Sequence, residues 1–342
     1  MQKVNWGIIG LGSIANEFAK AFNNLNYSKL LAISSKDKKK INIFKNNFEI
    51  QDNYCFNNYD ELIKEEKLDI IYLALPTFLH KKWTISCLQN NKNILVEKPA
   101  TMNLDEILEI KKYCNNKNYF FEAFMYLFHP QIEKIIDLIK EGEIGEILSM
   151  ETNFGNNILT KKNWFGFVKK KKIDPTKRIF NKKMGGGSIL DLGCYPVSFS
   201  LLIASLKSTI TNKNVNCIDI NNKLGDTGVE VDSYATLSFD NNFVSRIGAS
   251  FSRDLGRKSE IIGSKAKIIV EDTWTANPSK VILKKKNKDI VFNFNSPHSV
   301  YSYEIELLSK FILNKQINDH KVFTIDKSIL NMQIIDAWRS NI

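Results

Sequence analysis

No stretch of this 342-residue chain approaches the roughly 20 consecutive apolar residues that cross a bilayer, so no membrane anchor is expected. Nor does a secretory leader show: Met1 leads within a few residues into Val4-Asn5-Trp6-Gly7-Ile8-Ile9, which reads as a strand. Cysteine is sparse. Cys55, Cys87, Cys114, Cys194 and Cys217 are scattered, with no C-x-x-C pair and no histidine at metal-ligand spacing. This argues against a disulfide framework and against a bound metal, and it fits reduced thiols in a cytoplasmic protein.

What is abundant is lysine. The formal net charge is +11, which raises the question of nucleic acid, because clustered Lys and Arg neutralise phosphates. Yet the excess is spread along the chain among Asn and Ile, and no aromatic residues interleave the basic runs at a stacking spacing. A solvated Lys-rich surface is the better reading, with no nucleic-acid and no membrane partner. The one dense cluster, 169–172, falls in an expected loop before Asp174-Pro175, where it would equally attract an anionic substrate.

A chain this long, with 43% apolar residues, exceeds the roughly 250 to 300 residues that one core serves, so two domains are expected. Up to residue 123, apolar runs at 4–9, 30–34, 53–56, 69–75, 93–96 and 119–123 alternate with helical patterns at 14–23, 38–46, 81–90 and 104–115. Continuous apolar runs separated by helices predict a doubly wound parallel sheet, an α/β Rossmann domain over 1–123. From 124 to 342 the rhythm changes. Helices at 131–141 and 188–206, strands at 147–154, 229–239, 243–251, 260–262, 267–271, 280–285 and 289–294, and terminal helices at 301–313 and 326–340 predict an α+β domain. Its large open sheet should be mainly antiparallel, with helices on one face. Asp240-Asn241-Asn242 suits a hairpin turn, since Asn and Asp tolerate positive φ.

Gly10-Leu11-Gly12-Ser13-Ile14-Ala15 fits G-x-G-x-x-[GA] between the first strand and the first helix. Gly10 makes the tight turn, Gly12 lets backbone approach a pyrophosphate, and Ala15 allows close helix packing, with the helix N-terminus facing the phosphates. The second strand ends Ile33-Ser34-Ser35-Lys36-Asp37, where an acid would bond the ribose of NAD and a base with small hydroxyls would accommodate the 2′-phosphate of NADP. Ser35 and Lys36 favour NADP, while Asp37 keeps NAD open.

Glu97-Lys98-Pro99 ends the fifth strand, at the carboxyl edge where open α/β sheets bind ligands. Farther on, Gly185-Gly186-Gly187 opens a helix that carries Asp191 and Tyr195 at i and i+4, on one face. Pro196 fits that helix only at an early turn or a kink. A phenol titrates near 10, so it works at neutral pH only beside a positive charge; a lysine, a carboxylate and a tyrosine are the parts of a proton-transfer group.

Together these motifs resemble the Gfo/Idh/MocA oxidoreductases, and most of all their dihydrodiol dehydrogenase and D-xylose dehydrogenase branch. The resemblance also rests on Ala74-Leu75-Pro76-Thr77 with His80, on Glu122-Ala123-Phe124-Met125-Tyr126 with Phe128-His129-Pro130-Gln131, and on Gly263-Ser264-Lys265-Ala266. It implies Tyr195 as acid/base, Lys98 as the cation that activates it, and Asp191 as an assistant. It implies a dinucleotide held by Gly10, Gly12, Ser13, Ile14, Ala15, Ser35, Lys36, Leu75, Pro76, Thr77, His80, Glu97 and Lys98, with Glu97 and His80 at the nicotinamide end. The reaction it implies is hydride exchange with a carbinol carbon of a sugar, cyclitol or related polyol, in a homodimer or homotetramer built through the C-terminal sheet. Two alternatives stand beside it: redox-neutral glycoside chemistry through a transiently oxidised sugar, and a non-catalytic cofactor-binding regulator. One departure matters: Leu127 stands where many relatives in that branch have arginine. Arg178 is then a candidate contact for substrate or a phosphate.

Overall fold

The computed structural model describes residues 2–162, 164, 167–276, 278–296, 298–314 and 320–340. Two compact units emerge, Met1–His129 with Pro297–Ile329, and Pro130–Ser296 with Leu330–Ile342. The first boundary falls a few residues after the expected division at 123, and the chain returns to its first unit near the end.

The first unit is built on a parallel sheet of β1 (Val4–Ile9), β2 (Ser28–Ser34), β3 (Cys55–Phe56), β4 (Ile70–Leu73), β5 (Asn93–Glu97) and β6 (Phe120–Ala123). Its order is β3-β2-β1-β4-β5-β6, all neighbours parallel. The helices between the strands are α1 (Ser13–Lys20), α2 (Lys38–Phe48), α3 (Tyr59–Lys64), α4 (His80–Gln89) and α5 (Leu104–Lys111). The residues of β4 are all buried and β1 nearly so, as parallel strands covered on both faces must be. Chain order reverses between β1 and β4, and that switch point is where such sheets bind ligands.

The return to this unit is α8 (Val300–Asn314). Ile305 and Leu308 are fully buried there. The Trp6 indole donates to the Ser309 hydroxyl at 2.9 Å, and the amides of Asn26 and Tyr27 donate to the Glu306 carboxylate. Without α8 the buried Trp6 indole would lose its hydrogen-bond partner, a cost of about 1 to 3 kcal/mol.

The second unit contains α6 (Pro130–Lys140), β7 (Ile147–Gly155), β8 (Thr160–Lys162), β9 (Val168–Lys170), α7 (Cys194–Ser205), β10 (Val215–Leu224), β11 (Glu230–Phe239), β12 (Val244–Ser250), β13 (Ser259–Gly263), β14 (Lys267–Val270), β15 (Ser279–Lys285) and β16 (Lys288–Phe294). Eight of these strands form one sheet in the order β10-β11-β12-β7-β13-β14-β15-β16, antiparallel except for β12 with β7. β8 and β9 pair separately, so Lys169 and Lys170 lie on a short hairpin strand and only Lys171 and Lys172 in the expected loop. The turn after β11 has Asn242 at φ 61, as its composition predicts.

Helix α7 crosses this unit with every residue from Cys194 to Ala204 buried. A wider window, Lys182–Ser205, is long and apolar enough to span a membrane by length and composition; 89% of its apolar stretch is buried inside the protein, as in a core helix. The last helix, α9 (Ile325–Arg339), begins in the first unit and ends in the second.

Candidate active site

At the end of β1 the chain turns at Gly10, whose φ is +91. A Cβ there would stand 2.6 Å from the Ala74 carbonyl oxygen, so only glycine lets the turn lie against the loop after β4. Gly12 differs. It caps α1, and a Cβ on it would meet nothing within 4 Å. No side chain caps this helix and no acid sits in its first turn, so the amides that open α1 at Ser13, Ile14 and Ala15 face that open space with the helix dipole behind them. Ala15 is fully buried. An open N-terminus of this kind fits a pyrophosphate.

At the end of β2, Ser35 is buried and its hydroxyl accepts from the Asp37 amide at 3.1 Å. Asp37 itself caps α2, its carboxylate accepting from the amides of Lys39 at 2.9 Å and Lys40 at 3.4 Å. Lys36 is exposed, its ammonium 5.9 Å from the Tyr59 ring. The acid that kept NAD open is thus committed to a helix end.

Four side chains hold the loops after β4 and β5. The Tyr72 hydroxyl donates to the Glu97 carboxylate, which also accepts from the Lys98 amide at 3.2 Å. Burial and the adjacent Glu97 push the Tyr72 phenol well above its ordinary range. His80 is buried, with Nδ1 3.0 Å from the Pro99 carbonyl and Nε2 2.7 Å from the Leu75 carbonyl. Carbonyls only accept, so both contacts are made at once only when both ring nitrogens carry hydrogen. Glu122, buried at the end of β6, accepts from the Ala100 amide at 2.9 Å. Burial lifts its carboxyl to about 7, against the pull of the Ser328 hydroxyl and the Ala100 amide. His80 and Glu97 thus fix the segments that carry Leu75-Pro76 and Lys98, and Thr77 is buried at the turn between them and α4. Sequence reasoning does not single out Tyr72, and it names Glu122 only within a segment that carries the resemblance, without a role; the signal in both is a polar group inside an apolar strand run.

In the second unit Asp191 lies in a π turn, Ile189–Gly193, that runs straight into α7. The sequence predicts one continuous α-helix here; Pro196 explains the difference. It has no N–H for the carbonyl of Leu192, four residues back, and that carbonyl accepts from the Cys194 amide instead. Tyr195 follows in the first turn of α7, 5% exposed, its ring 5.3 Å from Phe154 and 5.6 Å from Trp274. Trp274 stacks on Phe154 and donates its indole N–H to the Asn153 carbonyl at 3.0 Å, so this aromatic wall is fixed. The Asp191 carboxylate accepts from Arg178 Nη2 at 2.5 Å. Arg178, which the sequence offers as a substrate or phosphate contact, meets Asp191 here.

Leu127 is fully buried in the turn Met125–Phe128. A guanidinium there would need a buried partner of its own. Lys171 and Lys172 line a groove of about 790 Å³ with Lys182, Lys183, Phe180 and Asp226.

Residues 4–123 match the model of an oxidoreductase family with an NAD-binding Rossmann fold, and residues 132–269 match the C-terminal domain of the same family. A trans-1,2-dihydrobenzene-1,2-diol dehydrogenase of Xenopus tropicalis is 27% identical over 97% of this chain and 96% of its own length. A D-xylose 1-dehydrogenase (NADP+) of Haloferax volcanii is 24% identical, over 97% and 95%. Among solved structures, a 3-ketoreductase from Actinomadura kijaniata with NADP and TDP-benzene superposes with a TM-score of 0.82 at 20% identity, covering 99% of this chain and 98% of that one. The fold, the glycine turn at the switch point and the two matched segments agree, and the chain belongs to the Gfo/Idh/MocA family of oxidoreductases.

Proposed function

We propose that this protein is an NADP-preferring dehydrogenase or reductase that exchanges a hydride with a carbinol or carbonyl carbon of a sugar, cyclitol or related polyol. The observation that carries the reading is the open N-terminus of α1, where Gly12 leaves room for a pyrophosphate at the switch point of the sheet. Gly10, Gly12, Ser13, Ile14 and Ala15 hold that pyrophosphate. Ser35 and Lys36 receive the 2′-phosphate, a role supported by the capping duty of Asp37. Leu75, Pro76, Thr77, His80, Glu97 and Lys98 line the nicotinamide end. NAD remains the second cofactor.

The bound dinucleotide supplies the two-electron chemistry. Tyr195 takes the hydroxyl proton of the carbinol during oxidation and returns it during reduction. Lys98 supplies the positive charge that makes the phenolate accessible, and Asp191 orients the proton-transfer group. We place the protein in the cytoplasm, in keeping with five cysteines that form no disulfide among the described residues. We further infer a homodimer or homotetramer through the open face of the eight-stranded sheet, where Ile218, Ile262 and Val291 are exposed.

A screen of sugars, nucleotide sugars and cyclitols for net NADP reduction tests this reading. Tyr195→Phe should cost about 10²- to 10⁴-fold in kcat, the worth of a general acid/base. Turnover untouched by both Tyr195→Phe and Lys98→Ala would overturn the assignment; turnover without net NADPH change would point to redox-neutral chemistry. Lys36→Ala should lower kcat/KM with NADP by about tenfold and leave NAD nearly unaffected, as loss of one ion pair to phosphate implies.

A further inference from the structure

The geometry points to Arg178 as a positioning residue that acts through Asp191: its guanidinium aims the carboxylate and keeps it ionised, and it does not bind substrate itself. This rests on the reading above, which gives Asp191 a part in proton transfer.

The contact is built from several directions. Asp174 starts a turn by accepting from the Thr176 amide at 2.9 Å and its hydroxyl at 2.6 Å. The chain then makes a 3-10 turn at Arg178–Phe180 and lies against the glycine triplet. The Gly186 amide donates to the Asn181 carbonyl at 2.9 Å and the Gly187 amide to the Ile179 carbonyl at 3.0 Å. A Cβ on Gly186 would stand 2.6 Å from the Arg178 carbonyl oxygen and 2.7 Å from the Asn181 nitrogen. Only a residue without a side chain lets the two backbones meet this closely, and that meeting brings Arg178 to Asp191. The pair is partly shielded, its side chains 30% and 18% exposed, so the attraction is less screened than on an open surface. Among the described residues Asp191 is the carboxylate that Arg178 meets.

Other charged groups near the π turn have positions of their own. Glu230 lies behind Gly187 and pairs with Arg339 at 3.3 Å. On the strands β7 and β12, Glu151 and Arg246 are exposed. Cys194, whose thiol donates to the Asp191 carbonyl at 3.9 Å, and Tyr195 follow on α7 as titratable neighbours in sequence. A cation bonded to a carboxylate favours its charged form, so removing Arg178 makes Asp191 take up a proton at higher pH.

The test is a kinetic cycle of Arg178→Gln, Asp191→Asn and the double variant, with kcat, KM and the pH profile measured for each. Arg178→Gln should lower kcat about 10- to 100-fold, the worth of one charge-assisted hydrogen bond, and shift the acid limb of kcat upward in pH. In the Asp191→Asn background the same change should cost less than about twofold, because the partner through which it acts is gone. Arg178→Lys, which keeps the charge and loses the planar fork, should fall between. Additive losses, or a rise in KM with kcat and its acid limb unchanged, would overturn the inference in favour of direct substrate binding. A second measurement needs no substrate: the ¹³C carboxyl signal of Asp191, assigned by difference against Asp191→Asn, should titrate at higher pH in Arg178→Gln. An unchanged titration overturns the inference. A wild-type protein inert toward every substrate, but with the shifted titration, overturns only the functional reading.

Discussion

Two glycine-rich turns open two helices in this chain, and they serve opposite partners. At Gly12 an added Cβ would meet nothing within 4 Å; at Gly186 and Gly187 it would meet the Arg178 carbonyl at 2.6 Å and the Glu230 carboxyl carbon at 2.5 Å. The first turn is open for something the chain does not supply, and the second is filled by the chain itself. Glycine in a sequence therefore marks close approach without saying to what.

The sharpest way to break this contrast is Gly187→Ala. Its φ is +117, and the new methyl would press on a carboxylate only 3% exposed, so strain and overpacking should together cost about 3 to 5 kcal/mol. A melting temperature within a degree or two of wild type would show that the contact yields. Gly12→Ala sits at the other end of the scale, and between them lies a contrast in charge.

The site loop of the first unit leans on Glu122, a buried acid lifted to about 7 from an ordinary 4.5, whereas Asp191 in the second unit is held by a cation. The sign follows from proton counts. Between pH 4.5 and 7 the folded chain keeps a proton that the unfolded chain has released, so stability is highest below about 4.5 and falls as pH rises through 7. Glu122→Gln, which still accepts from the Ala100 amide, should remove a decline on the order of 2 to 3 kcal/mol. Thermal melts of both proteins at pH 5 and pH 8 check this; equal declines would mean that Glu122 is not the source. Gly12→Ala should change stability by less than about 0.5 kcal/mol, as at an open surface site. It should nonetheless weaken NADP binding at least tenfold, measured by fluorescence titration, because the methyl occupies the phosphate's place.

Where pattern and packing coincide, the sequence was legible. β1 was read to the residue, since a strand buried on both faces leaves a continuous apolar run, and the Gly10 turn was read because its spacing is local. The polar strand β10 was missed: it is an edge, broken by a bulge between Ile218 and Asn221 with Asp219 at φ 52, so neither a run nor a clean alternation survives. The π turn has a local cause, Pro196, which marks an early turn or a kink without saying what form it takes. The Arg178 contact escaped for another reason: it joins two separate turns, Arg178 standing 13 residues before Asp191. The return of α8 to the first unit is the extreme case, joining Trp6 to Ser309 across 303 positions.

That return bears on how the molecule is made. A ribosome delivers the first sheet early, yet the indole of Trp6 and the amides of Asn26 and Tyr27 wait for a helix synthesised almost 300 residues later. Until then the nascent Rossmann half carries an uncovered seam, and a fragment cut after its last strand would keep that seam open.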